Sequence, residues 1–337
     1  MRLRHRKVLA GVVLLLASAG LTTISNAQQR YPTRPVTVLV PAAAGGPTDA
    51  VARIMADAMT RSLGQQVIVE NAGGAGGTIG SQRVARAKPD GYTVLLWHIA
   101  HATAPALYEK LPYNVLTDFE PIGRVVDVPM MVVGRSNHPA RTVGELISWI
   151  REKKADATYG HAGIGSAGHL CSLLLSNALN TQMTGISYKG AGPAMNDLLG
   201  GQIDLMCDQT TTTTSPLSSG RVRGYAITTA NRLPTFPDLP TLNEAGLPGV
   251  EVSAWHGLWA PKGTPKDVIE KLGAALQETL KDPKVTEKFA TLGAVPVPIE
   301  LATPAALKSH HEAEVAKWGA VIKTAGSRRT KSPSGKG

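Results

Sequence analysis

The sequence predicts an α/β fold with largely parallel sheets, and three observations carry that reading. Short runs rich in Val, Ile and Leu alternate with helical patterns along almost the whole chain. Those runs are continuously apolar, as strands buried on both faces require. Glycine-rich turns stand where several of them give way to helical patterns.

Taken in order, strands are expected at residues 36–40, 67–70, 93–97, 131–133, 185–188, 204–207, 223–227 and 258–260. After the first, Val51, Met55, Ala58 and Met59 recur at helical spacing and make one apolar face. Segments 143–153, 170–178 and 268–280 have the same periodicity. A body of about 300 residues exceeds the usual single core, so two domains are expected. The outward crossing between them is placed at 120–129. The return is placed at 233–252, a stretch stiffened by Pro234, Pro237, Pro240 and Pro248.

Two of the glycine turns have a chemical reading. The first is VTVLV-PAAAGGPTDAVAR, with a helix expected from about Thr48, and the second is VIVE-NAGGAGGTIGSQRVARA. A strand, a glycine turn and a helix start form an anion site, because first-turn N–H groups are unpaired and the dipole end is positive. Neither turn ends in the Lys-Ser/Thr of a phosphate-binding loop. Capture of a small anion is expected, without machinery to transform it. Open α/β sheets bind ligands where strands end, which places Ala44, Gly45, Gly46, Pro47, Thr48 and Asp49 at a cleft. Asp49 reads as a brace of the helix start.

The matching loop in the second domain is Gly163-Ile164-Gly165-Ser166-Ala167-Gly168-His169. It satisfies G-x-G-x-x-G, yet residues 157–196 contain no Asp or Glu to hold a ribose. Ile164 also stands where a nucleophile elbow needs glycine. What remains is a helix start offering Gly165, Ser166 and Ala167 to a ligand. Asp208 either faces the same cleft or caps the run Thr210–Thr214. Lys189 and Gly190 either meet an anion or only turn the chain.

His98 and His101 follow Trp97, His161 precedes the glycine loop, and His256 follows Trp255. No Cys or carboxylate stands at metal spacing from His98 and His101, so neither a metal nor a cofactor is expected. Trp97, His98, His101 and Trp255 are expected instead to line the far end of the pocket, a wall suited to an aromatic or long dicarboxylate. Core packing is the alternative. Cys171 and Cys207 could pair in an exported protein or serve as small buried hydrophobes.

The first 27 residues have the form of a secretory signal. Arg2, Arg4, Arg6 and Lys7 precede an apolar stretch over residues 8–19, and Ser25-Asn26-Ala27 forms a cleavage site. Residues 327–337 form a basic tail expected to be disordered. The formal charge of +10 is misleading: the signal and the tail carry four cations each and no acid, leaving +2 for the body. Nucleic-acid binding is not expected from such a body.

The elements PxxxGGPTDxxAR, VENxxGAGG-IG, KPDGYT, HAGIGSAGH, YKGAGPAMNDLLGGQIDLMCD, LPTFPDLPTLNEAGLPGVEV and WHGLWAPKGTP occur in this order. In this the chain resembles the solute-binding receptors of tripartite tricarboxylate transporters, the Bug or TctC type, from about Tyr31 to Ala325. Ala43 and Ala44 stand where such receptors often have an aromatic residue and proline, and Ala72 where a basic residue and proline are common. The resemblance implies a type II periplasmic-binding-protein fold. Domain 1 would comprise 28–125 and 245–326, and domain 2 would comprise 126–244. It further implies a monomeric periplasmic receptor that delivers an organic carboxylate to inner-membrane permease subunits, or reports it to a signalling partner. No catalytic residue is expected. The rival reading, an exported hydrolase or isomerase, would need Ser166 and His169 to act together without a visible third member.

Overall fold

A computed structural model describes residues 31–324. The expected signal and basic tail lie outside the described residues.

Three parallel strands open the fold: β1 (Val36–Val40), β2 (Val67–Asn71) and β3 (Thr93–His98), with β1 between the other two. Helices α1 (Pro47–Leu63) and α2 (Thr78–Ala85) make the crossovers, and α3 (Ala100–Leu107) follows β3. Next comes β4 (Phe119–Arg135), a 17-residue strand, then α4 (Val143–Lys153). A second parallel set follows: β5 (Thr158–His161), α5 (Ala167–Ala178), β6 (Thr184–Ser187), α6 (Ala191–Leu199) and β7 (Leu205–Gln209). Helix α7 (Thr210–Ser218) and strand β8 (Val222–Ile227) complete it. The chain returns through β9 (Ser253–Pro261), α8 (Lys266–Lys281), α9 (Pro283–Thr291), β10 (Val295–Pro296) and α10 (Pro304–Thr324).

The sheet order is β2-β1-β3-β9-β4-β7-β5-β6, with β8 and β10 also on β4. Every pairing made by β4 or β9 is antiparallel, and those among β1–β3 and β5–β7 are parallel. Period-two alternation sends Val38, Val40, Leu96 and Leu258 to one face, where Met55, Met59, Leu272 and Phe289 cover them. Leu39, Leu95, Trp97 and Trp259 go to the other, joining Leu107, Leu307 and Trp318.

The outward crossing, expected at 120–129, lies within one continuous strand. Residues 119–129 are paired with β9 as strand, and from Met130 onward β4 pairs with β7 and β8. Ile122, Val125, Val126 and Val128 are fully buried, and such β-branched residues fit a ladder better than a linker. The partner change therefore falls between Pro129 and Met130, where the segment expected to cross ends. Thr228 ties it to the return: its hydroxyl accepts from the Met130 N–H at 3.2 Å and donates to Val252 O at 2.6 Å.

Cys171 on α5 and Cys207 on β7 form a disulfide, with Cα atoms 6.1 Å apart across 36 residues. A loop of that length should gain about 3–4 kcal/mol from restriction of the unfolded chain. Denaturant titration should therefore find the reduced protein, or the Cys171→Ala/Cys207→Ala variant, less stable by about 2–4 kcal/mol. An unchanged midpoint would show that the pair is only two buried thiols in effect.

Candidate ligand-binding cleft

Parallel strands end on the same side, so the helices that follow begin there. Helices α1, α2, α5, α6 and α7 start behind Gly46, Gly77, Ser166, Gly190 and Gln209, and the loops of the two strand sets meet face to face. A methyl group on Gly190 would come within 2.8 Å of Ala43 Cβ, and one on Gly76 (φ +61°) would run into the Ile164 carbonyl. Only glycine permits this approach. Two hydrogen bonds cross the seam: Thr103 Oγ1 donates to Gly165 O at 3.1 Å and Tyr108 Oη to Ile164 O at 3.0 Å. A cleft of 460 Å³ opens at the seam, lined by Ala44 and Gly45 opposite Gly192, Pro193, Met195, Asn196, Thr211 and Thr212.

The donors in these loops are partly committed to the fold. Asp49 Oδ2 accepts the Gly45 N–H at 2.9 Å and Arg53 Nε at 3.0 Å, so its carboxylate braces the first loop as expected. Burial alone would raise the Asp49 carboxyl. Hydrogen bonds from Arg53, Gly45 and Asn71 outweigh it and hold the group below its ordinary value. Ser166 caps α5 by accepting the His169 N–H at 3.3 Å, and the Ser166 N–H itself goes to Gly163 O at 3.1 Å. The first-turn N–H groups of Ala167 and Gly168 have no intrahelical carbonyl to reach. Thr48 Oγ1 and His256 Nε2 lie 3.1 Å apart, both buried beside Gly46 and Pro47.

The four residues expected to form an aromatic wall are brought together only in part: the Trp97 and His98 rings stack at 3.9 Å, while His101 and Trp255 meet other neighbours. His98 pairs in register with His256 and meets its ring edge-on at 5.5 Å. Trp97, its neighbour on the strand, stacks on the His98 ring, joins the core with Leu95 and backs Gly77. Trp255 is turned to α10, where its indole N–H donates to Glu314 Oε2 at 2.9 Å, as does that of Trp318. His101 is boxed by Tyr113, Phe119, Trp259 and His311. Trp255 and His256 are separated by the period of two, which gives consecutive strand residues different faces. Among the described residues, no three His, Cys, Asp or Glu side chains are placed to hold a metal ion.

A family model described as the tripartite tricarboxylate transporter family receptor matches residues 51–327. The chain belongs to this family. A protein of the TAR-I ttuE–ttuC′ intergenic region of Agrobacterium vitis is 50% identical over 315 residues, covering 94% of this chain and 91% of that one. The periplasmic binding protein BugD is 51% identical with a TM-score of 0.87, the match covering 89% of this chain and all of that one. MatC of Rhodopseudomonas palustris, solved with bound malate, is 40% identical with a TM-score of 0.84, over 87% of this chain and 100% of MatC. The fold is thus the type II periplasmic-binding-protein fold that the motifs imply.

In this receptor Asp208 is the acidic group at the end of β7. It is not the cap of α7, a position held by Gln209, whose side chain makes no capping bond. Its Oδ2 accepts from Thr212 Oγ1 at 2.6 Å. The neighbouring Gln209 Oε1, Thr210 Oγ1 and Thr211 Oγ1 are buried without a partner among the described residues. None of these three was singled out from the sequence, where a run of Thr signals only a surface helix start.

Burial pushes the Asp208 carboxyl up to about 6, against the hydrogen bonds from Thr212 and the Gln209 backbone. A carboxyl raised above its unfolded value favours folding only while protonated, so the contribution is full below about pH 4 and is lost as pH rises through 6. Asp208→Asn should therefore stabilise the protein at pH 7.5 by about 2–3 kcal/mol. The gain should vanish near pH 4. Paired urea titrations at the two pH values check this, and an equal effect at both would refute the assignment.

Proposed function

We propose that this receptor is exported to the periplasm by residues 1–27, captures a small aliphatic dicarboxylate between its two strand sets, and delivers it to inner-membrane permease subunits. One observation carries the reading: helix starts from both sets converge on one glycine-lined seam. Their positive ends and free N–H groups suit carboxylate oxygens. Cationic imidazoles are not the source of attraction. Burial lowers His98 far below its ordinary value, His256 to about 3 and His169 to about 4, so all three are neutral at pH 7. Bound malate in MatC, on the same fold at 40% identity, supports an aliphatic dicarboxylate. With Trp255 turned toward Glu314, the expected aromatic wall is reduced to the stacked Trp97 and His98, which favours an aliphatic ligand.

The hydrolase reading is disfavoured by the same geometry. Ser166 Oγ accepts from the His169 backbone, and the His169 ring is engaged with the Gly165 N–H rather than with that hydroxyl. A general base would have to reach Oγ itself.

Thermal-shift screening of the protein against malate, longer aliphatic dicarboxylates, aromatic carboxylates and amino acids tests the proposal. A true ligand at 100 times its Kd adds about 2.7 kcal/mol of stability. An aliphatic dicarboxylate should give the largest shift and be recovered unchanged. No shift with any compound would overturn the carboxylate reading, and turnover of the bound compound would overturn the receptor reading.

A further inference from the structure

We infer that His161 and His169 are positioning residues for the Gly163–Ser166 loop, which they hold by accepting its amide protons, so that ligand capture requires both imidazoles neutral. The ligand part of this inference rests on the receptor reading above. His161, at the end of β5, takes the Gly163 N–H on Nδ1 at 3.2 Å. His169, in the first turn of α5, takes the Gly165 N–H on Nδ1 at 3.3 Å while its own N–H goes to Ser166 Oγ. The second arrangement is a capping box in which imidazole replaces the usual Glu or Gln and reaches one residue further back.

The two bonds fix the loop's peptide planes. The Gly165 N–H shares its peptide plane with the Ile164 carbonyl, so the His169 bond aims that carbonyl at Tyr108, while the Gly165 carbonyl that meets Thr103 belongs to the next peptide, whose Ser166 N–H goes to Gly163 O. A glutamate at 169 could accept the same proton. It would also place a negative charge at the start of α5, where an anionic ligand needs the positive dipole end. Neutral imidazole supplies an acceptor without that charge.

Nδ1 accepts only while the ring is neutral, and a protonated ring would present N–H to N–H. The rings are 4.9 Å apart, so a proton on one opposes a proton on the other. The titratable and charged groups on the surrounding elements are Tyr159 on β5, Asp208 on β7, His101 on α3 with Tyr108 at its end, Tyr188 and Lys189 before α6, and Asp197 on α6, which accepts from Tyr188 Oη. Burial lowers His161, and burial together with His161 takes His169 to about 4. The brace therefore holds at pH 7 and fails as the pH falls through about 4, well below the ordinary histidine range.

The test combines calorimetric binding of malate with ¹⁵N–¹H spectra of the protein between pH 7.5 and 4, for wild type, His169→Gln, His169→Leu and His161→Asn. Glutamine restores the ordinary capping box, and asparagine at 161 can accept the Gly163 N–H in an Asx turn. Both should keep malate affinity within about twofold at pH 7.5, whereas His169→Leu should lose about fivefold or more, the worth of one neutral hydrogen bond. Wild-type affinity should fall more steeply toward pH 4 than that of His169→Gln, and the Gly165 amide should titrate with the ring only in wild type. Equal losses in the Gln and Leu variants, or a Gly165 amide indifferent to the ring, would overturn the inference. Should wild type bind no carboxylate, the receptor reading fails on its own, and the Gly165 titration still decides the brace. Should His169→Leu not fold, wild type against His169→Gln decides it.

Discussion

The continuous strand β4 is the constraint on which the rest of the structure depends. Its first part pairs with β9 and its last part with β7 and β8, so one ladder belongs to both strand sets. Any change in the relative orientation of the sets must be taken up where β4 changes partner, at Pro129–Met130, and where the chain returns before Ser253. Thr228 bonds to both places with one side chain. Such a joint leaves few soft dihedrals, which is the physical requirement for a hinge with a defined axis. It also explains why the loops can meet so closely: the seam is opposed by design of the ladder, and glycine at Gly76 and Gly190 removes the remaining obstacle.

The chemistry of the seam follows from what the fold leaves unpaired. Buried imidazoles are stripped of charge by desolvation, so the site cannot rely on them as cations. Asp49 is consumed in holding the first loop, and Asp208 sits near half-ionisation at pH 6. Helix starts and hydroxyls are then the groups available to meet carboxylate oxygens, and they cost no reorganisation because the parallel strands have already aimed them. Neutral donors of this kind favour release as well as capture, since no buried ion pair has to be broken.

Much of the fold was legible in the sequence, and the losses have identifiable causes. The segments 36–40 and 143–153 appear with the bounds expected, because the first is β-branched at four of its five positions and the second opens on a Thr142 cap that accepts the Glu145 N–H. β5 was not foreseen: four residues containing Gly160 carry too little apolar signal, and its burial comes from neighbours distant in sequence. Helix α10 was not foreseen either, since its 21 residues mix apolar and charged positions without one clean face. At the site, the glycine turns and Ser166 were visible because turn and cap chemistry is local. The seam partners Tyr108 and Thr103 were not, because nothing in their own segment signals a carbonyl some 60 residues away.

The histidines show where sequence and structure part most sharply. Read along the chain, His98 and His101 suggest a shared role because they are three apart, yet they leave the strand end for different surroundings. Meanwhile His98, His138 and His161 share a bond that spacing between histidines cannot reveal. Each ring accepts through Nδ1 the N–H of the residue two positions on, at Ala100, Ala140 and Gly163 respectively. This is the geometry of an Asx turn made with a larger side chain. It lets a strand end turn sharply while the ring, unlike Asn, fills the core beside it and, unlike Asp, brings no charge. That combination suits a chain that leaves a strand for a tight loop, as at Ala100, Ala140 and Gly163, where the ring supplies both an acceptor and packing volume.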